Sequence, residues 1–288
     1  MSLSLRTVLP GNSPIAALAA LPTCAAPFCP RPPTLWQRWW ARHEGVRLDE
    51  RWYCSLECFQ QGLFRRLEQA ALASPRNPPR PHRLPLGLIL LSQGEITGQQ
   101  LREALARQRA AKSGKLGEWL IEIGAVGEAE VSSALASQQG CPLFPLEGPQ
   151  AVPDKMYWPD LLTERYRAVP AFYSTAQSGL YVGFLERVDH GFLLALEQVL
   201  GCRTQPCILP MSAYQKQLQL RALSVESQTI VIHQRQSGVE MTRTIGNYAG
   251  QVRAERCTVV RCDDCLWTRL ESGGGCHVDF LFRLPTIN

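Results

Sequence analysis

The chain has 288 residues, enough for two or three domains that each bury a core. Its hydrophobic content of 45% argues against a disordered chain, and no run approaches the roughly 18–20 consecutive apolar residues of a membrane helix. A net charge of +5, spread along the sequence, permits an anionic partner without requiring nucleic acid.

Residues 1–23 read as a loosely held leader. Its apolar segment before Cys24 is short, bounded by Pro14 and Pro22 and preceded only by Arg6, so an export signal is not expected and a cytoplasmic chain is. Eleven cysteines, an odd number, fit a complete disulfide framework poorly. Residues 24–73 hold four of them, as Cys24-x4-Cys29 and Cys54-x3-Cys58. Four thiolates on two short turns match tetrahedral structural zinc, with buried thiols and a disulfide pairing as the alternatives. His43 is a substitute ligand, read first as a surface residue. The second pair sits where a strand pattern gives way to an amphipathic helix from Phe59. There the sequence resembles the closing half of a treble-clef zinc finger, YCS-x-x-C, although the first pair departs from the commoner C-x2-C spacing. Arg38, Arg42, Arg47 and Arg51 beside Trp36, Trp39 and Trp40 would suit nucleic acid, but a solvated basic face is the plainer explanation.

Residues 74–82 are rich in Pro and Arg and read as an extended linker. The next region, 83–222, opens on a repeat. Residues 85–108 read PLGLILLSQGEITGQQLREALARQ and residues 115–138 read KLGEWLIEIGAVGEAEVSSALASQ. At an offset of 30 residues, Leu86/Leu116, Gly87/Gly117, Leu90/Leu120, Gly94/Gly124, Leu105/Leu135 and Gln108/Gln138 are identical, and Ile96/Val126 and Leu101/Val131 are conservative. Each copy predicts a short helix, a bend at Gly94 or Gly124, and a longer helix, with Thr97 and Gln100 forming a capping box in the first. Most of the apolar positions are core. Gly87 and Gly117 lie near helix starts, where bare backbone N–H groups favour an anion. Arg83 and Lys115 lie beside them, and the amides of Gln108 and Gln138 could read a base edge. Two such half-sites suit a symmetric, dianionic ligand with two flat bases.

Residues 80–220 resemble the N-terminal domain of type II secretion and type IV pilus assembly ATPases. That family carries a tandem motif, RLG-x-x-L-x5-I-x4-L-x3-L-x2-Q, that binds cyclic di-GMP, followed by a short α/β lobe. The resemblance implies ligand contacts at Leu86, Gly87, Leu90, Ile96, Leu101, Leu105 and Gln108 in the first copy. In the second it implies Lys115, Leu116, Gly117, Leu120, Val126, Val131, Leu135 and Gln138. Two features depart from the family. Pro85 replaces the opening Arg of the first copy, with Arg83 as the nearest substitute, and the spacer 109–114 is one residue longer than usual. No G-x4-G-K-[ST] phosphate loop and no hydrolytic set occurs in the sequence, so no enzyme is expected.

In residues 223–288 the pattern predicts a strand at 229–234, a helix at 239–255, and strands at 257–262 and 265–270 joined by Asp263 and Asp264. In a last strand Val278, Phe280, Phe282 and Leu284 alternate as one buried face. Cys257, Cys262, Cys265 and Cys276 with His277 form a second sulfur-rich group that fits buried strand positions better than metal. The whole is predicted to be an α+β multidomain chain: a small zinc-binding module, a helical tandem-repeat domain with a short α/β lobe, and a small α+β C-terminal domain. The expected function is a non-enzymatic cyclic di-GMP-binding regulator. The alternative is an interaction scaffold of a secretion or pilus system that keeps the fold without the nucleotide.

Overall fold

A computed structural model of the chain describes residues 23–30, 45–73, 83–144, 152–224, 228–273 and 275–284. The leader up to residue 22, the linker 74–82, Arg38, Arg42, His43 and the three tryptophans at 36, 39 and 40 lie outside the described residues.

The first cysteine-bearing part supplies β1 (Val46–Leu48), β2 (Arg51–Tyr53) and α1 (Leu56–Leu72). The repeat folds as α2 (Leu86–Ser92), α3 (Gly98–Ala111), α4 (Leu116–Glu122) and α5 (Glu128–Gln139). The lobe follows as α6 (Asp160–Tyr166), β3 (Ala168–Ser174), β4 (Gly179–Phe184), α7 (His190–Leu200), β5 (Arg203–Ile208) and α8 (Met211–Ser224). The tail is β6 (Gln228–Ile232), α9 (Gly238–Gln251), β7 (Ala254–Cys262), β8 (Cys265–Ser272) and β9 (His277–Arg283). Its strand, helix and three strands occur in the expected order. The helix stops four residues short of the predicted end because β7 already begins at Ala254.

Two sheets organise the described residues. The lobe has a three-stranded sheet, β3-β4-β5, and a larger six-stranded sheet runs β2-β1-β7-β8-β9-β6. Residues 46–53 and 254–283, which the sequence pattern places in separate domains, therefore share one sheet, with β1 parallel to β7. Arg66 fastens this junction, donating to Asp49 Oδ2 at 2.6 Å and to the Val259 carbonyl at 2.7 Å. The Asp49 amide donates to the Cys257 carbonyl at 2.8 Å. Edge pairing between segments so far apart in the chain leaves no local signature, because each strand alone satisfies the same period-2 pattern.

Alternation along the tail strands fills two cores. Cys257, Val259, Leu266, Leu270, Phe280 and Phe282 pack with Phe59, Leu63 and Ile245 of α1 and α9. Val260, Cys262, Cys265, Trp267 and Leu281 point the other way, to Phe192 and Leu196 of α7. The predicted face of Val278, Phe280, Phe282 and Leu284 is the one under α1 and α9. The opposite face is covered as well, which is why Asp279 is only 1% exposed. The second sulfur group is thereby split between the two faces, with Cys276 exposed. Burial pushes the Cys257 and Cys262 thiols far up, as expected of inert core positions.

Candidate functional site

The repeat folds as two near-identical halves. Gly94 and Gly124 take positive φ, 79° and 69°, and end α2 and α4. The amides of Glu95 and Ala125 reach back to the Leu90 and Leu120 carbonyls at 3.0 Å each. The Thr97–Gln100 capping box is present, and in the second copy Glu130 accepts from the Gly127 amide at 3.0 Å.

The two glycines do something the sequence alone does not reveal. A Cβ on Gly87 would meet Leu101 Cδ1 at 2.6 Å and Leu116 Cδ2 at 3.1 Å. A Cβ on Gly117 would meet Val131 Cγ1 at 2.9 Å and Leu86 Cδ2 at 3.6 Å. Each glycine thus receives one side chain from its own second helix and one from the opening leucine of the other copy. The exchange is reciprocal, as across a two-fold axis. The closing glutamines follow the same rule. Gln108 Nε2 donates to the Gly114 carbonyl at 3.1 Å, and Gln138 Nε2 donates to the Leu84 carbonyl at 2.6 Å. Each amide fixes the chain entering a first helix, two residues before its leucine. Gly117→Ala is accordingly expected to destabilise the repeat by about 1–3 kcal/mol through overpacking, measured by urea unfolding. Gly94→Ala meets no atom within 4 Å, and its cost comes from the positive φ alone.

Leu90 and Leu120 are 0% exposed and Ile96 4%, so these three are core. Leu86, Leu101, Leu116 and Val126 pack against that core while half-buried, and Leu105 is likewise half-buried. A cleft of about 560 Å³ opens at the second copy, between α4, α5 and the lobe. Leu86, Leu116, Gly117, Val131 and Leu135 form its apolar side, with Arg83, Lys115 and Gln138 also in the wall. Gly87, Leu90, Ile96, Leu101, Leu105, Gln108, Leu120 and Val126 do not line it.

The far wall comes from the lobe: Leu185, Glu186, Arg187, Val188, Asp189, His190, Leu209 and Met211. None of these was singled out from the sequence. Asp189 signals a helix start, since it caps α7 by accepting from the Phe192 amide at 2.8 Å. Nothing local places that start against the repeat. The cleft mixes charges, with Arg83, Lys115 and Arg187 facing Glu118, Glu128, Glu186 and Asp189. Glu118 accepts from the Lys115 amide at 3.0 Å, and Glu128 accepts from the Ser212 amide at 2.6 Å. Glu186 instead pairs with Lys115 Nζ and lies 3.6 Å from Arg167 Nε. Arg83 donates to Gln139 Oε1, which also accepts from the Val188 amide at 3.1 Å.

A second site lies at the edge of the large sheet. Cys24 and Cys29 come from a stretch held by the Ala25 amide on the Trp52 carbonyl at 2.9 Å. Cys54 follows β2, and Cys58 sits in the first turn of α1, where its amide donates to the capping Ser55 hydroxyl at 3.3 Å. The four sulfurs lie within 4.8 Å of one another. Tetrahedral zinc with bonds of about 2.3 Å sets its sulfurs about 3.8 Å apart. The Cys29–Cys54 and Cys54–Cys58 separations, 3.5 and 3.9 Å, bracket that value. Both far exceed the roughly 2.05 Å of a disulfide. Burial pushes the Cys54 and Cys58 thiols up, and a divalent cation would reverse that preference by binding the thiolates. The donor set and its geometry therefore fit zinc.

No family model matches the chain. The type IV pilus assembly ATPase PilB of Thermus thermophilus is 28% identical over 130 residues, which is 45% of this chain and 14% of that protein. The chain thus spans about a seventh of the length of the curated relative it matches. Over those 130 residues the chain is similar to part of a pilus assembly ATPase. Among solved structures, MshE with cyclic di-GMP aligns at 23% identity and a TM-score of 0.40, over 50% of this chain and 100% of that one. The N-terminal domain of XpsE aligns at 15% identity and a TM-score of 0.35, over 46% of this chain and 91% of that one. Among the described residues no helix is long and apolar enough to cross a membrane.

Proposed function

We propose that the chain is a non-enzymatic, cytoplasmic receptor for cyclic di-GMP that reports ligand state to a component of a secretion or pilus system, with structural zinc at its four-cysteine site. The observation that carries this reading is the second-copy cleft. Its leucines and Val131 offer an apolar surface for a flat base, and Arg83 and Lys115 offer cations for phosphates. The sequence similarity to a pilus assembly ATPase supports the link to a pilus system. Glycine at position 117 serves helix packing first, and it brings the start of α4 close to the cleft as a consequence.

Fluorescence anisotropy with labelled cyclic di-GMP tests the assignment. Lys115→Ala and Arg83→Ala each remove a charged hydrogen-bonding partner and should weaken binding about 10- to 100-fold. Arg109→Ala, away from the cleft, should leave it unchanged. Equal affinity in all four proteins would place the ligand elsewhere.

One observation favours the scaffold reading as a second possibility. On the first copy Leu88 and Leu91 are 49% and 38% exposed, where the second copy has Glu118 and Ile121. An open apolar face of this kind suits a protein partner. Recovery of the same partner with and without nucleotide would support it, and recovery of none would count against it.

A further inference from the structure

Three of the four carboxylates around the cleft hold helix starts. Glu118, Glu128 and Asp189 accept from backbone amides at 3.0, 2.6 and 2.8 Å. Glu186 has no such duty among its described contacts and bridges Lys115 to Arg167. Its loop is also tied to the repeat one turn further on, because Gln139 Oε1 holds both Arg83 and the Val188 amide. Both cations that would take a phosphate are therefore connected to residues 185–188, Lys115 through Glu186 and Arg83 through Gln139. Leu185 stays anchored on the lobe side by its amide on the Arg167 carbonyl at 3.1 Å.

We infer that Glu186 is an electrostatic latch on the nucleotide cleft: it occupies Lys115 in place of a ligand phosphate, and an incoming phosphate displaces it onto Arg167. The inference rests on the cyclic di-GMP reading above. A carboxylate and a phosphate cannot share one ammonium without repulsion, so the pair Lys115–Glu186 opens as the ligand enters. Arg167 is the neighbouring cation able to keep Glu186 paired on the lobe side, which makes the exchange inexpensive. The loop 185–188 then loses one of its two ties to the repeat. Because Asp189 caps α7, and α7 packs on Val260 and Trp267 of the large sheet, the loosened segment lies directly before an element in contact with the rest of the molecule.

The test compares the full chain with Glu186→Gln by calorimetric titration with cyclic di-GMP, alongside hydrogen exchange of the 185–189 segment. Glu186 is a surface side chain with 29% exposure, and the substitution keeps its size, so both proteins should melt alike. Removing the competing carboxylate should tighten binding about three- to tenfold, with the gain shrinking at high salt. Exchange in the segment should rise in the wild-type chain on adding nucleotide, and in Glu186→Gln without it. Equal affinities in two proteins that both bind would overturn the latch and leave the receptor reading intact. Tighter binding without any change in exchange would overturn the coupling to the loop. Binding by neither protein would remove the receptor reading and the latch with it.

Discussion

Replacing Arg269 by methionine is expected to destabilise the protein by about 3–5 kcal/mol, the loss typical when one member of a buried ion pair is removed. Arg269 and Asp279 stand opposite each other on β8 and β9, and each is 1% exposed. Two bonds join them, Nε to Oδ1 at 2.9 Å and Nη2 to Oδ2 at 2.8 Å. Trp267 Nε1 also donates to Oδ1 at 2.7 Å. The guanidinium reaches out of the sheet to the carbonyls of Lys155 and Tyr157, so it also pins the start of the lobe. Methionine would leave a buried carboxylate with the Trp267 indole and His277, whose Nε2 lies 3.7 Å away, as partners, and two carbonyls before the lobe without their donor. Urea unfolding measures the loss, and the double variant Arg269→Met with Asp279→Leu should recover most of it, because no charge then stays buried alone. A loss under about 1 kcal/mol for the single variant would mean that water reaches this pair.

Cys54→Ser should have a comparable effect by a different route. A structural zinc site contributes its binding energy to folding, since the unfolded chain holds no preformed site. Cys54 and Cys58 are part of the core that includes Val46, Tyr53, Phe59 and Leu63. Loss of the proposed zinc should therefore loosen α1 and its edge strands together, lowering stability by several kcal/mol. Metal analysis of the purified chain should give one zinc per molecule, and close to none for Cys54→Ser. A wild-type chain that folds fully without metal and keeps its melting temperature in strong chelator would contradict the assignment.

The repeat was legible because its signals are local. Gly94 and Gly124 end helices, Thr97 opens one, and the leucine spacing marks a single face, each readable within a turn or two. The four-cysteine cluster was legible for the same reason, as two short turns. What escaped were relations between distant segments. Arg47 pairs with Arg256 across the large sheet, and Glu186 meets Lys115 across the cleft, and neither position carries an unusual residue. Gln108 and Gln138 show the limit from the other side. Their repetition signals a constraint, and the structure supplies a structural cause for it, since both side-chain amides hold backbone carbonyls.

Calorimetric titration of the full chain with cyclic di-GMP asks whether the second-copy cleft takes a cyclic dinucleotide. The expected result is saturable heat with about one ligand per chain, lost or strongly reduced in Lys115→Ala. No heat at tens of micromolar protein would contradict the claim and leave the repeat as a packing unit with an open apolar face.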